Sequence, residues 1–143
     1  MKNIIIVTGG AGFIGSNLIK FLVKKTKLKI ISIDNYTSGT TKNHIHHKNV
    51  KYIKDNNINI SKILKLYKKK IKVIFHFGEF SRIYQSFKNT KACLNSNIYN
   101  SFEVINYAKD NNIKIIYSAT SSNLGNGGKD ENSSPVSYTH LRA

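Results

Sequence analysis

Three glycines at the end of an apolar run carry the first chemical signal. The segment TGGAGFIGSNL follows IIIV directly; Gly9, Gly12 and Gly15 fall at G-x-x-G-x-x-G spacing, and Gly10, Gly12 and Gly15 also satisfy G-x-G-x-x-G. In either spacing the first glycine permits a tight turn at a strand end, the next brings backbone N–H groups up to a pyrophosphate, and the last lets a helix pack closely on the sheet. The helix that starts here, with Phe13 and Ile14 in its first turn, points its positive end at the anion. Such a loop needs a carboxylate about 20 residues further on to bond an adenosine ribose, and Asp34 stands 19 residues after Gly15. Asp34, with Asn35 beside it, favours NAD over NADP, whose 2′-phosphate it would repel. Asp55 is placed to accept a hydrogen bond from the adenine amino group, although a turn or capping aspartate fits its spacing nearly as well.

Other chemistries are poorly served. His44, His46 and His47 lie in a polar loop without a partner carboxylate or thiolate, so no metal site is expected. Cys93 is the only cysteine, which excludes an internal disulfide and a Cys-based zinc cluster and fits a reducing cytoplasm, the expected location. The formal charge of +16 comes from 23 basic residues of which only Arg82 and Arg142 are arginine. The lysines are scattered among isoleucine and asparagine, the pattern of A/T-rich codons rather than of a clustered nucleic-acid surface, so no specific nucleic-acid partner is expected. No apolar run approaches the ~18 residues of a membrane span. The glycine turn is reached by Gly9, which leaves no room for a secretory leader.

The elements that must position these groups alternate short β-branched runs with helical stretches, the signature of βαβ units. Strands are expected at Asn3 to Thr8, Lys29 to Ile33, Val50 to Ile53, Lys72 to Phe77 and Lys114 to Ser118. Helices are expected at Gly12 to Lys25, Ile60 to Lys69, a short stretch near Tyr84, and Lys91 to Lys109. In the last of these, Leu94, Ile98, Phe102, Ile105 and Tyr107 or Ala108 recur at helical spacing and are assigned to the core. The fold class is α/β: a Rossmann-type doubly wound parallel sheet in the order 3-2-1-4-5, truncated after about five strands. Residues 121–135, rich in Gly, Asn and Ser, read as loop.

With TGGAGFIG, Asp34 and Asp55 in place, the chain resembles the extended short-chain dehydrogenase/reductase family of NAD-dependent nucleotide-sugar epimerases and dehydratases. HFGEF, from His76 to Phe80, resembles the family's H-L-A-A segment, with Phe77 and Gly78 beside the cofactor. Asn97 in NIYNS takes the place of the asparagine in N-x-x-G-T, and YSATSSNLG resembles S-S-S-x-x-x-Y-G with Thr120 at the catalytic hydroxyl position. The resemblance implies bound NAD as cofactor, a nucleotide-sugar substrate, oxidation at C4 with return of the hydride to the opposite face, and a homodimer in the full-length protein. Dehydratases of the family carry T-D-E and decarboxylases T-S-E where this chain has Thr120-Ser121-Ser122, so an epimerase resembling UDP-glucose 4-epimerase is preferred. The alternatives are a dehydratase or decarboxylase of the same family, or an NAD-binding regulatory module without catalysis. Glu79 and Arg82 depart from the commonest family pattern; they read either as facing the sugar side of the nicotinamide or as a buried ion pair.

The family's Tyr-x-x-x-Lys is missing after Ser134-Pro135, where Val136 and His140 stand instead. Tyr138 and Arg142 share that spacing, but a guanidinium replaces the ammonium poorly. The tail VSYTHLRA, Val136 to Ala143, matches the in-frame translation of a sequencing-library transposon adapter, GTC TCT TAT ACA CAT CTC CGA GCC. The expected organisation is therefore residues 1–135 as an incomplete NAD-binding Rossmann domain and 136–143 as read-through, with the chain as written inactive.

Overall fold

The computed structural model describes residues 2–118. Thr120, the loop 121–135 and the tail 136–143 lie outside them. The chain runs β1 (Ile4–Thr8), α1 (Phe13–Lys25), β2 (Lys29–Asp34), β3 (Val50–Lys54), α2 (Ile60–Ile63), β4 (Ile71–His76), α3 (Ile83–Lys88), α4 (Thr90–Leu94), a π-helical turn (Asn95–Asn100), α5 (Ser101–Asp110) and β5 (Lys114–Tyr117). The five strands form one parallel sheet in the order β3-β2-β1-β4-β5, the order expected.

Every residue of β1 is buried, which suits an interior strand covered on both faces. Its side chains alternate between two cores. Ile4 and Ile6 join Ile31, Ile33, Ile60, Leu64, Ile71, Ile74, Val104 and Tyr107 on one face. Ile5 and Val7 meet Ile19 and Ile30 on the other, with Leu18 and Leu22 of α1 packed against them.

Two helical expectations require correction. The stretch Ile60 to Lys69 is not one helix: only Ile60–Ile63 is α-helical, and a separate 3-10 turn forms at Lys68–Lys70. Its run of Lys62, Lys65 and Lys68 to Lys70 supplies no opposite charge to support a longer exposed helix. The second correction concerns the stripe assigned to the core between Lys91 and Lys109. Leu94, Ile98, Phe102 and Ile105 are 45 to 60% exposed, while Val104, Tyr107 and Ala108 are buried together with Asn100 and Ser101. The turn Asn95–Asn100 is π-helical, so the helix is locally underwound and its inward face is not the one that regular α spacing selects.

The strand register sets the functional edge. Thr8 pairs with Ile33 on one side and His76 on the other, and His76 pairs in turn with Tyr117. The C-terminal ends of β1, β2 and β4 therefore stand level, and Gly9, Asp34 and Phe77 emerge side by side. In open α/β sheets, ligands bind at this edge, where strand order reverses.

Candidate active site

A cleft of about 240 Å³ opens over those strand ends, and Gly9, Gly12, Asp34, Asn35, Asp55, Phe77 and Gly78 all line it. The glycine loop is shaped by close approach. Gly9 has φ +69°, and a Cβ there would stand 2.6 Å from the Phe77 carbonyl oxygen. A Cβ on Gly15 would run into the Gly9 carbonyl and stand 2.7 Å from Gly10 Cα, so the third glycine allows α1 to sit directly against the loop. Gly12 caps α1 without a side-chain bond, and no acidic residue occupies the first turn. The N–H groups of Phe13, Ile14 and Gly15 are left for an anion at the positive end of a 13-residue helix.

Asp34 is buried, 7% exposed, yet borders the cleft. Its Oδ2 accepts from the Ala11 N–H at 2.9 Å and its Oδ1 from the Tyr36 N–H at 2.8 Å. Each carboxylate oxygen keeps a further lone pair, the pair of acceptors a ribose diol requires. Tyr36 adopts φ +61°, and its phenol is raised above the ordinary range by burial and then by the Asp34 charge. Asp55 Oδ1 accepts from the Asn56 N–H at 2.7 Å and the Asn59 amide at 2.8 Å. Chiefly through Asn59, its carboxyl lies below the usual carboxylate range.

Asn97 sits elsewhere. Its Oδ1 accepts from the Phe80 N–H at 2.6 Å and its Nδ2 donates to the Phe80 carbonyl at 2.9 Å. It clamps the strand of chain that forms the cleft wall, and the cleft itself is lined by Asn95, Ser96 and Asn100 of the π turn. Regular helical spacing does not bring these three as close on one face as the π turn does. Their signal is present: three polar residues interrupt an apolar repeat.

His44 serves packing: its ring stacks on Tyr52 at 3.7 Å between centroids and bonds the Tyr36 hydroxyl at 2.8 Å. Among the described residues no group of three His, Cys, Asp or Glu side chains is arranged to hold a metal ion. No helix among them is long and apolar enough to cross a membrane.

A buried polar chain runs behind the cleft. Thr8 Oγ1 accepts from the Phe77 and Gly78 N–H groups at 3.1 and 3.2 Å and meets His76 Nδ1 at 2.6 Å. His76 Nε2 meets Ser101 Oγ at 2.9 Å. Fully enclosed, the imidazole has its pKa pushed down to about 4 by burial, so the ring is neutral at pH 7. The pair Glu79–Arg82 is not formed: Arg82 is exposed, and Glu79 Oε1 accepts from the Tyr117 hydroxyl instead.

The family model described as "NAD dependent epimerase/dehydratase family" matches residues 5–142. The chain belongs to that family. The resemblance to extended short-chain dehydrogenases/reductases thus holds, and NAD is the cofactor. Among curated relatives, a dTDP-D-glucose 4,6-dehydratase of Dictyostelium discoideum is 30% identical over 135 residues, covering 90% of this chain and 31% of the relative. An ADP-L-glycero-D-manno-heptose-6-epimerase of Brachyspira hyodysenteriae is 32% identical over 130 residues, covering 86% of this chain and 39% of the relative. A UDP-N-acetylglucosamine 4-epimerase from Methanobrevibacter ruminantium M1, solved with UDP-N-acetylmuramic acid, superposes with TM-score 0.79 at 30% identity, over 95% of this chain and 45% of that one. The chain spans 31 to 39% of the length of these curated relatives.

Proposed function

We propose that the chain is the NAD-binding part of a nucleotide-sugar epimerase resembling UDP-glucose 4-epimerase. The observation that supports this most is the gathering of an anion seat, a ribose carboxylate and a polar far wall in one cleft at the strand ends. Gly9, Gly12 and the N–H groups of Phe13, Ile14 and Gly15 would hold the pyrophosphate. Asp34 and Asn35 would hold the adenosine ribose, Asp55 the adenine amino group, and Phe77 and Gly78 the wall beside the nicotinamide, with Asn97 fixing Phe80 behind it. Bound NAD would supply acceptance of hydride from C4 and its return to the opposite face. In this reading Thr120 bonds the sugar hydroxyl that is oxidised, and Ser121 and Ser122, which lack the carboxyls of T-D-E and T-S-E, favour epimerase over dehydratase or decarboxylase chemistry.

Residues 1–135 are then the incomplete NAD-binding domain and 136–143 read-through, and the chain as written is inactive for want of a tuned tyrosine and its lysine. A cytoplasmic homodimer is part of the same reading, and the exposed stripe Leu94, Ile98, Phe102 and Ile105 offers it an apolar face. Val136 and His140, standing where tyrosine and lysine belong, favour one second reading, a non-catalytic NAD-binding module. The test is paired. The 143-residue chain with NAD and UDP- or dTDP-hexoses should yield no epimer. A chain continued from the genomic DNA downstream of the Pro135 codon should carry Tyr-x-x-x-Lys and interconvert C4 epimers. Turnover by the short chain, or genomic DNA that encodes VSYTHLRA natively, overturns the reading.

A further inference from the structure

We infer that Glu79 is a ligand-binding carboxylate whose Oε2 accepts a hydrogen bond from an N–H or O–H group of the molecule seated in the cleft. The donor is either the carboxamide of the cofactor or a hydroxyl of the sugar. The inference rests on the dinucleotide reading of the cleft.

Glu79 lines the cleft next to Gly78. Sheet order places Asp34 at the end of β2, the glycine loop at the end of β1, and Glu79 beyond β4 on the opposite side. A dinucleotide with its ribose at Asp34 and its pyrophosphate at the glycine loop therefore extends toward Glu79.

The protein bonds to Glu79 converge on one oxygen. The Tyr117 hydroxyl donates to Oε1, and Ser101 Oγ lies 3.4 Å from the same atom. Among the described residues no donor is bonded to Oε2, so that oxygen is free to accept from a molecule in the cleft that Glu79 lines.

The direction of the chain behind Glu79 follows from counting lone pairs. Thr8 Oγ1 already accepts from two N–H groups, so its proton goes to His76 Nδ1. The neutral ring then carries its proton on Nε2 and donates to Ser101 Oγ. Ser101's own proton faces oxygen acceptors only, Glu79 Oε1 or the Ser96 carbonyl, each at 3.4 Å. As far as Ser101 the protons thus point from the glycine-loop strand toward the Glu79 side, and the hydroxyls of Ser101 and Tyr117 both stand against Glu79 Oε1, an arrangement that suits an anion there. The Tyr117 phenol, pushed up to about 12 first by its bond to Glu79 and then by burial, keeps its proton and remains a donor.

Calorimetric titrations of the full chain with ADP-ribose, with NAD, and with UDP-glucose after NAD loading test the assignment. Glu79→Gln keeps an acceptor for Tyr117 but presents an N–H₂ to the ligand donor. It should weaken one of the last two titrations about tenfold while leaving ADP-ribose unchanged. Loss on NAD identifies the carboxamide as the donor; loss on UDP-glucose alone identifies the sugar hydroxyl. Should Glu79→Gln fail to fold, Tyr117→Phe, which leaves the carboxylate unmoored, should show the same selective loss at about threefold. Wild-type affinities retained within twofold in every titration, or an equal loss on ADP-ribose, overturn the role of Glu79. Failure of the wild-type chain to bind ADP-ribose and NAD at all overturns the dinucleotide reading, and the inference with it.

Discussion

Each oxygen of the Asp34 carboxylate is tied to a backbone N–H, of Ala11 and Tyr36, so the group that would read the ribose also fastens β2 to the glycine loop and to the turn after β2. Asp34→Ala should therefore cost stability as well as selectivity, about 1 to 3 kcal/mol for leaving buried donors unpaired, measured as a lower urea midpoint. His76 gives a second prediction at this scale. Its folded-state pKa of about 4 lies below the unfolded value of 6.5. Between those values the unfolded chain binds more protons. The stabilisation from the neutral ring is thus complete above pH 6.5 and is lost as pH falls through 4, on the order of 3 kcal/mol in all. Urea midpoints at pH 7.5, 5.5 and 4.5 should fall steeply for the wild type and less steeply for His76→Asn, which titrates nothing at that position. The place of Asp34 beside the glycine loop was legible in the sequence because it follows from spacing to a local motif. The partners of Glu79 were not, because Ser101 and Tyr117 come from α5 and β5 and meet it only through tertiary packing.

At the scale of elements, the strands were legible nearly to the residue, since β-branched runs bounded by turns allow few alternatives. Their order followed from the Rossmann-type pattern of alternating strands and helices that opens on a glycine loop. The long helix was misread in phase rather than in place. Apolar spacing pointed to Leu94, Ile98, Phe102, Ile105 and Tyr107 or Ala108; only Tyr107 and Ala108 of these are buried, and the π turn directs Ser101 toward His76 and brings Val104 into the core with Tyr107 and Leu64. The difference can be measured. Val104→Ala should cost about 2 kcal/mol of unfolding free energy, while Phe102→Ala, at an exposed position, should change it by less than about 0.5. The reverse ranking in denaturant titrations would restore the original assignment.

At the scale of the whole molecule, two of the apolar surfaces left uncovered among the described residues bear on assembly. One is the stripe on the long helix. The other is the outer edge of β5, where Ile116 and Tyr117 are 39% and 46% exposed and no strand among the described residues pairs beyond. An uncovered parallel edge is a template for pairing with other chains. Hydrogen exchange in β5 should therefore be at least about a hundredfold faster than in β1, which is paired on both sides and buried throughout. Sedimentation should show self-association that Phe102→Glu weakens. A monodisperse monomer with equal protection in β1 and β5 would mean that neither surface requires a partner, and the binding-module reading would take first place.

The cofactor cleft underlies all of these readings, and a single comparison probes it most directly: calorimetric titration of NAD and NADP into the full chain and its Asp34→Ala variant. The wild type should bind NAD at least about tenfold more tightly than NADP, because Asp34 accepts from the ribose diol and repels a 2′-phosphate, and the variant should bind the two alike. Equal affinities in the wild type, or a preference for NAD that survives in Asp34→Ala, would contradict the assignment of Asp34 to the ribose, and with it the placement of the dinucleotide across the strand ends.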